Sequence, residues 1–249
     1  MKKVLYVNGC SHSCGAELEY VGSCRTPYDF TNGWGGIIAN KYNLIHYNDA
    51  RPGAGNKEIH STLIYSLLKL LEEYKPSEIF VIVGWTSFER TEIIYENTNY
   101  TFAGGLNENQ APWIKNWPSV VQDAYKSWVM TTDFDHSINT FSMYYFATIN
   151  FLNLNKIPYF FFNAINPIHS PSRNFLNCST GDDWNKRLFY LMENDPNYLE
   201  PHNPEMTYLN YLKKKYDPQI EGRNFHFRED AQQEWANLLI PHVDKQLSN

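Results

Sequence analysis

The sequence predicts an α/β fold in which a central parallel sheet is covered by helices on both faces. Two observations carry this. Four short β-type runs, at about residues 3–8, 44–48, 79–83 and 157–162, alternate with helical stretches along the 249-residue chain, the order that builds βαβ units. Ile79-Phe80-Val81-Ile82-Val83 is also an unbroken apolar run, which marks a strand buried on both faces rather than one.

The elements follow in order. Val4-Leu5-Tyr6-Val7 forms the first strand, which stops at Gly9. Residues 12–32 are rich in Gly, Ser and Cys and predict a loop. Trp34, Ile37, Ile38 and Tyr42 recur at helical spacing, so a short helix fits Trp34 to Tyr42. Leu44 to Asn48 is the second strand, entering the turn Ala50-Arg51-Pro52-Gly53-Ala54-Gly55-Asn56. Ile59, Leu63, Leu67, Leu70 and Leu71 share one helix face, and Pro76-Ser77 ends that helix. The third strand, Ile79 to Val83, runs into the turn Gly84-Trp85-Thr86-Ser87. Residues 88–119, rich in Asn, Tyr and Trp, read as an inserted loop or lid. Helices are expected at 120–131 and 137–154. The strand at 157–162 has its proline, Pro158, near the start, where a strand tolerates one. Residues 163–204 read as irregular, with a short helix near Trp184–Met192. The last helix is expected from about Arg228 to Ile240, ended by Pro241. No repeat or linker divides the chain, so a single domain over 1–249 is expected, with the insertion at about 88–119.

Composition narrows the function classes. With 43% hydrophobic and 16% aromatic residues, the chain has ample material for a buried core. A net charge of −6 argues against nucleic acid as the main partner. The basic run Lys213-Lys214-Lys215 fits the solvated end of a helix. No apolar stretch is long enough to span a membrane. The cysteines Cys10, Cys14, Cys24 and Cys178 are few for this length, so disulfides are not needed and a cytoplasmic location is the expectation. Cys10, His12 and Cys14 alternate too tightly for usual zinc ligation, and no second pair completes a tetrahedral set. No metal or cofactor is expected.

In a parallel sheet the strand-to-helix turns gather at one edge. Ser11, Gly53 and Thr86 therefore meet there, and His226 joins them if the last helix packs beside the first strand. A serine in a glycine-bounded turn can cap that turn, or act as a nucleophile if a histidine reaches it. Asn56 either caps the following helix or lends its amide to the site. Cys10 adjoins Ser11 and is expected to point into the core.

These turns resemble the GDSL, or SGNH, hydrolases, including SGNH-like proteins carried by tailed phages. Gly9-Cys10-Ser11-His12-Ser13 resembles the family's first block, Asn48 to Asn56 the second and Gly84-Trp85-Thr86-Ser87 the third, while His226 fits the histidine of the last. The resemblance implies a flavodoxin-like three-layer sandwich. It also implies Ser11 as nucleophile, His226 as base, and an oxyanion hole that includes Gly53. Two positions depart from the pattern. Thr86 stands where the family has an asparagine that donates to the oxyanion, so the third donor is Thr86 or Asn56. Arg223 stands where the family has its acid, leaving Glu221, Asp230 or a Ser–His dyad.

The function expected is that of a serine esterase removing an O-acyl group from a carbohydrate, with aromatic residues of 85–128 offering a sugar-binding rim. The rival is a catalytically degenerate binding or virion assembly protein of the same fold, with virion or homo-oligomer partners and a virion-associated location.

Overall fold

Every residue of Val4–Gly9 (β1), Ile79–Trp85 (β3) and Tyr159–Asn163 (β6) is buried, which requires cover on both faces of the sheet they form. The computed structural model describes residues 2–20, 22–103, 112–168, 189–217 and 226–247. With β2 (Ile45–Asn48) at one edge, the four strands run in the order β2-β1-β3-β6, all parallel. The register aligns Val4 with Ile45 and Ile79, and Val81 with Tyr159.

Because side chains alternate along a strand, each strand feeds two cores. Val4, Tyr6, Val81, Val83 and Phe161 face Ile59, Leu63 and Leu67 of α4 (Asn56–Glu73) and Phe141 and Tyr145 of α6 (Phe134–Leu154). Leu5, Val7, Phe80, Ile82 and Phe162 face the other way. They meet Trp34 and Ile38 of α3 (Trp34–Tyr42), Tyr208 of α7 (Tyr208–Lys213) and Trp235 of α8 (Glu229–Leu247). The expected α/β architecture, a parallel sheet between two helical layers, is the one observed. No helix among the described residues is long and apolar enough to cross a membrane.

Three expectations need correction. Residues 12–32 are not all loop, since they hold the single turn α1 (Ser11–Cys14) and α2 (Pro27–Asn32). Thr26 and Asp29 cap α2 reciprocally, and Pro27 occupies its first turn; these caps start a helix too short to show periodicity. Residues 88–119 contain the antiparallel hairpin of β4 (Thr91–Tyr95) and β5 (Thr98–Phe102). Glu96 and Asn97 both take positive φ, 48° and 61°, which suits a tight turn between twisted strands. Phe102 of the hairpin packs with Ile114 and with Val121 and Tyr125 of α5 (Ser119–Thr131) in a core of their own. Finally, Pro241 does not end α8, which continues to Leu247. Val243 is fully buried, Tyr42 bonds Asp244, and Gln246 bonds Asn197. Packing on both sides of the proline outweighs the donor it lacks. Of the short helix expected near Trp184–Met192, only residues 189–192 are among those described, and they are helical.

Candidate active site

The end of β1 and the end of β3 meet at two glycines in register, Gly9 and Gly84. A Cβ built on either would lie 2.3 Å or 2.6 Å from the Ser13 hydroxyl, so only glycine at both strands lets α1 sit directly on the sheet edge. Asn48 of β2 donates its amide to the Ser13 carbonyl at 3.0 Å, and the Trp34 indole donates to the His12 carbonyl at 3.1 Å. These contacts fix α1. Ser11 is its first residue, after Cys10 at the cap position, so it does not cap the turn. Cys10 is fully buried in the core on the α3 side.

His226 lies just before α8, which packs on α3 and β6. Its ring centroid lies 5.5 Å from that of His12, the residue that follows Ser11 in α1. Its Nδ1 is 2.8 Å from Oε2 of Glu17, a buried side chain. A carboxylate only accepts, so Nδ1 carries the proton, and in the neutral ring Nε2 is the basic nitrogen. The other Glu17 oxygen accepts from the Gly22 N–H at 3.1 Å. Glu17 itself takes φ 64°, a conformation that side-chain-bearing residues rarely adopt. The loop is held there by Asp29, which is fully buried. One Asp29 oxygen accepts from the N–H groups of Leu18 and Glu19 and from the Ser23 hydroxyl, while the other accepts from Thr26 N–H. Asp230 is exposed and bonds the backbone N–H of Ala231. Glu221 and Arg223 lie outside the described residues.

The third turn is organised by Asn56. Its carbonyl oxygen accepts from Thr86 N–H at 3.0 Å, and its amide faces the carbonyls of Thr86 and Ser87, both at 3.3 Å. Asn56 is the first residue of α4, behind Gly55 at the cap position. The Thr86 hydroxyl is buried, with no hydrogen-bond partner among the described residues. Gly53 takes φ 77°, with nothing closer than 3.9 Å to a Cβ placed there. Its turn hangs on β1 through the Arg51 N–H, which donates to the Gly9 carbonyl at 3.1 Å. Beside Gly53 opens a cleft of about 270 Å³, walled by Trp117 and Tyr125. His12 is buried against Tyr208 and His226. Burial first, and then the cationic character of His226, Arg90 and Lys213, holds His12 far below the usual histidine range, so it stays neutral.

No protein-family model matches the sequence, and no curated protein matches it either. Solved structures do match. A family two carbohydrate esterase from Clostridium thermocellum, solved with cellohexaose, aligns with all of this chain and 65% of its own at 14% identity, with a TM-score of 0.51. The chain has the SGNH hydrolase fold. A psychrotrophic esterase, EstA, from Pseudoalteromonas sp. aligns over the whole of both chains at 12% identity and TM-score 0.49. A G-D-S-L family lipolytic protein from Desulfitobacterium hafniense DCB-2 aligns over 96% of this chain and all of its own, at 12% and 0.43. The chain spans about two thirds of the carbohydrate esterase.

Within this SGNH fold, the turns bearing Ser11, Gly53 and Thr86 follow β1, β2 and β3 at the same sheet edge. His226 is brought to α1 from the far end of the chain. Glu17 is the residue that sequence reasoning missed. The carboxylate that meets His226 lies not near the histidine in sequence but in the loop after Ser11, 209 positions away. The sequence gives it no distinguishing signal, since Glu19 and Asp29 share the same loop.

Proposed function

We propose that the chain is a serine ester hydrolase of the SGNH type, acting on an O-acyl group carried by a carbohydrate. The observation that carries this reading is the part-buried Glu17–His226 pair beside the turn of Ser11. In the reaction, the Ser11 hydroxyl oxygen attacks the acyl carbon while Nε2 of His226 takes the hydroxyl proton. Glu17 keeps the imidazole in the required tautomer and stabilises the imidazolium that forms. The negative charge on the acyl oxygen is met by the N–H groups of Ser11 and Gly53 and by the Thr86 hydroxyl, which has no partner among the described residues. His226 then returns the proton to the leaving sugar oxygen. Water, deprotonated by the same nitrogen, attacks the acyl-enzyme and releases the acid.

The amide of Asn56 is committed to the backbone of Thr86 and Ser87, which favours Thr86 as third donor and gives Asn56 a positioning role. The rival, a degenerate binding or virion protein, drew on two departures from the family pattern. Glu17 supplies the acid that the Arg223 position lacks, which weakens the rival. A serine-directed fluorophosphonate should label wild type and not Ser11→Ala. Absence of labelling and of turnover across a broad ester panel would return the argument to the binding protein.

A further inference from the structure

The cleft beside Gly53 has a feature that plain ester hydrolysis does not use. Arg90, half-buried at the foot of β4, is the only charged side chain among its described lining residues. Its guanidinium has no ion pair among the described residues. Its one recorded bond is a long 3.5 Å contact to the Ala54 carbonyl, in the same turn as Gly53. Glu89, Glu92 and Asp133 line a neighbouring cleft that Arg90 also borders, yet none of the three forms an ion pair with it among the described residues. A partly desolvated cation without a counter-charge is a standing cost that a bound anion removes. The chain's net charge of −6 gives no general reason for such a cation at this place.

The other walls fit a sugar. Trp117 and Tyr125 offer aromatic surface, and Thr101 offers a hydroxyl. At about 270 Å³ the space lies just below the ~300–1,000 Å³ of drug-sized sites, which suits one ring rather than an oligomer. One cation matches one negative charge, and a planar guanidinium matches a carboxylate at two points. Resting on the esterase reading above, we propose that this cleft holds the sugar ring that bears the ester, and that Arg90 selects a ring carrying a carboxylate, a uronic acid.

The test separates this from the parent reading by measuring binding without turnover. In Ser11→Ala, methyl glucuronide should bind about tenfold more tightly than methyl glucoside by calorimetry, a single charged hydrogen-bond pair being worth about that factor. Adding Arg90→Gln should erase the preference, and Arg90→Lys should keep part of it. Equal binding of the two sugars, or a preference that survives Arg90→Gln, overturns the proposal. Tighter binding of glucose 6-phosphate than of the glucuronide overturns the carboxylate assignment. If Arg90→Gln fails to fold, a salt series on Ser11→Ala decides: glucuronide affinity should fall with salt while glucoside affinity holds, and parallel behaviour refutes the proposal. A wild type that takes no fluorophosphonate while Ser11→Ala still prefers glucuronide would sink the esterase and leave the subsite standing.

Discussion

Replacing Glu17 by Gln keeps the size of the side chain and removes its charge, so that the imidazole loses both its tautomer preference and its partner as a cation. The expected result is a fall in kcat of roughly 10²–10⁴ with folding intact by circular dichroism; unchanged kcat would remove Glu17 from the mechanism. Thr86→Val probes the other end of the reaction. The Thr86 hydroxyl is buried, with no partner among the described residues, so a methyl group in its place costs no hydrogen bond to them in the resting protein. Stability should hold or rise slightly, while kcat falls about 100-fold with little change in KM, because the bond forms mainly in the transition state. A parallel loss of stability would mark Thr86 as structural. Both residues stand on backbone that other side chains hold, Asp29 in one case and Asn56 in the other.

The last helix shows how packing overrides a local stop signal. Pro241 lies inside α8, where it removes one backbone donor and crowds the preceding turn. A proline in a helix interior costs about 3 kcal/mol relative to alanine when unrelieved. Pro241→Ala should therefore raise stability by about 1–3 kcal/mol in urea denaturation, with activity unchanged. A destabilised variant would show that the proline ring makes contacts worth more than the donor it lacks. The hairpin of β4 and β5 is the complementary case, an element whose turn residues, Glu96 and Asn97, carry a weaker signal than an Asn-Gly pair.

Across the molecule, the balance of charge and burial sets the response to acid. The His46 ring is tucked between β2 and α3, where a Cβ on Gly35 would lie 2.9 Å from its Nε2. Burial pulls its pKa down to about 4, and His12 is lowered in the same direction. Both are lowered in the folded state, so the unfolded chain binds protons first as pH falls. Their contribution is complete above about pH 6.5 and declines below it, for His46 until about pH 4, with a ceiling for His46 of about 3 kcal/mol. Melting temperature should drop between pH 6.5 and 4.5, and His46→Gln should flatten that slope. An unchanged slope would mean that carboxylates alone govern acid unfolding.

The parallel sheet of four strands, the helix at Trp34–Tyr42, the helix carrying Ile59 to Leu71, and the turns of Ser11, Gly53 and Thr86 were all legible in the sequence. Those features rest on periodicity and on glycines at strand ends, which are local. Thr26-Pro27-Tyr28-Asp29 was also a legible helix start, but six residues are too few for an apolar stripe to announce it. Which carboxylate meets His226 depends on contacts far apart in sequence. Glu17 and His226 are 209 positions apart, and their meeting depends on a left-handed residue, a loop held by Asp29, and α8 docking on α3 and β6. Tertiary structure likewise sets the Asn56 side chain against the backbone of Thr86 and Ser87, because a side-chain amide goes to whichever buried backbone groups folding places beside it.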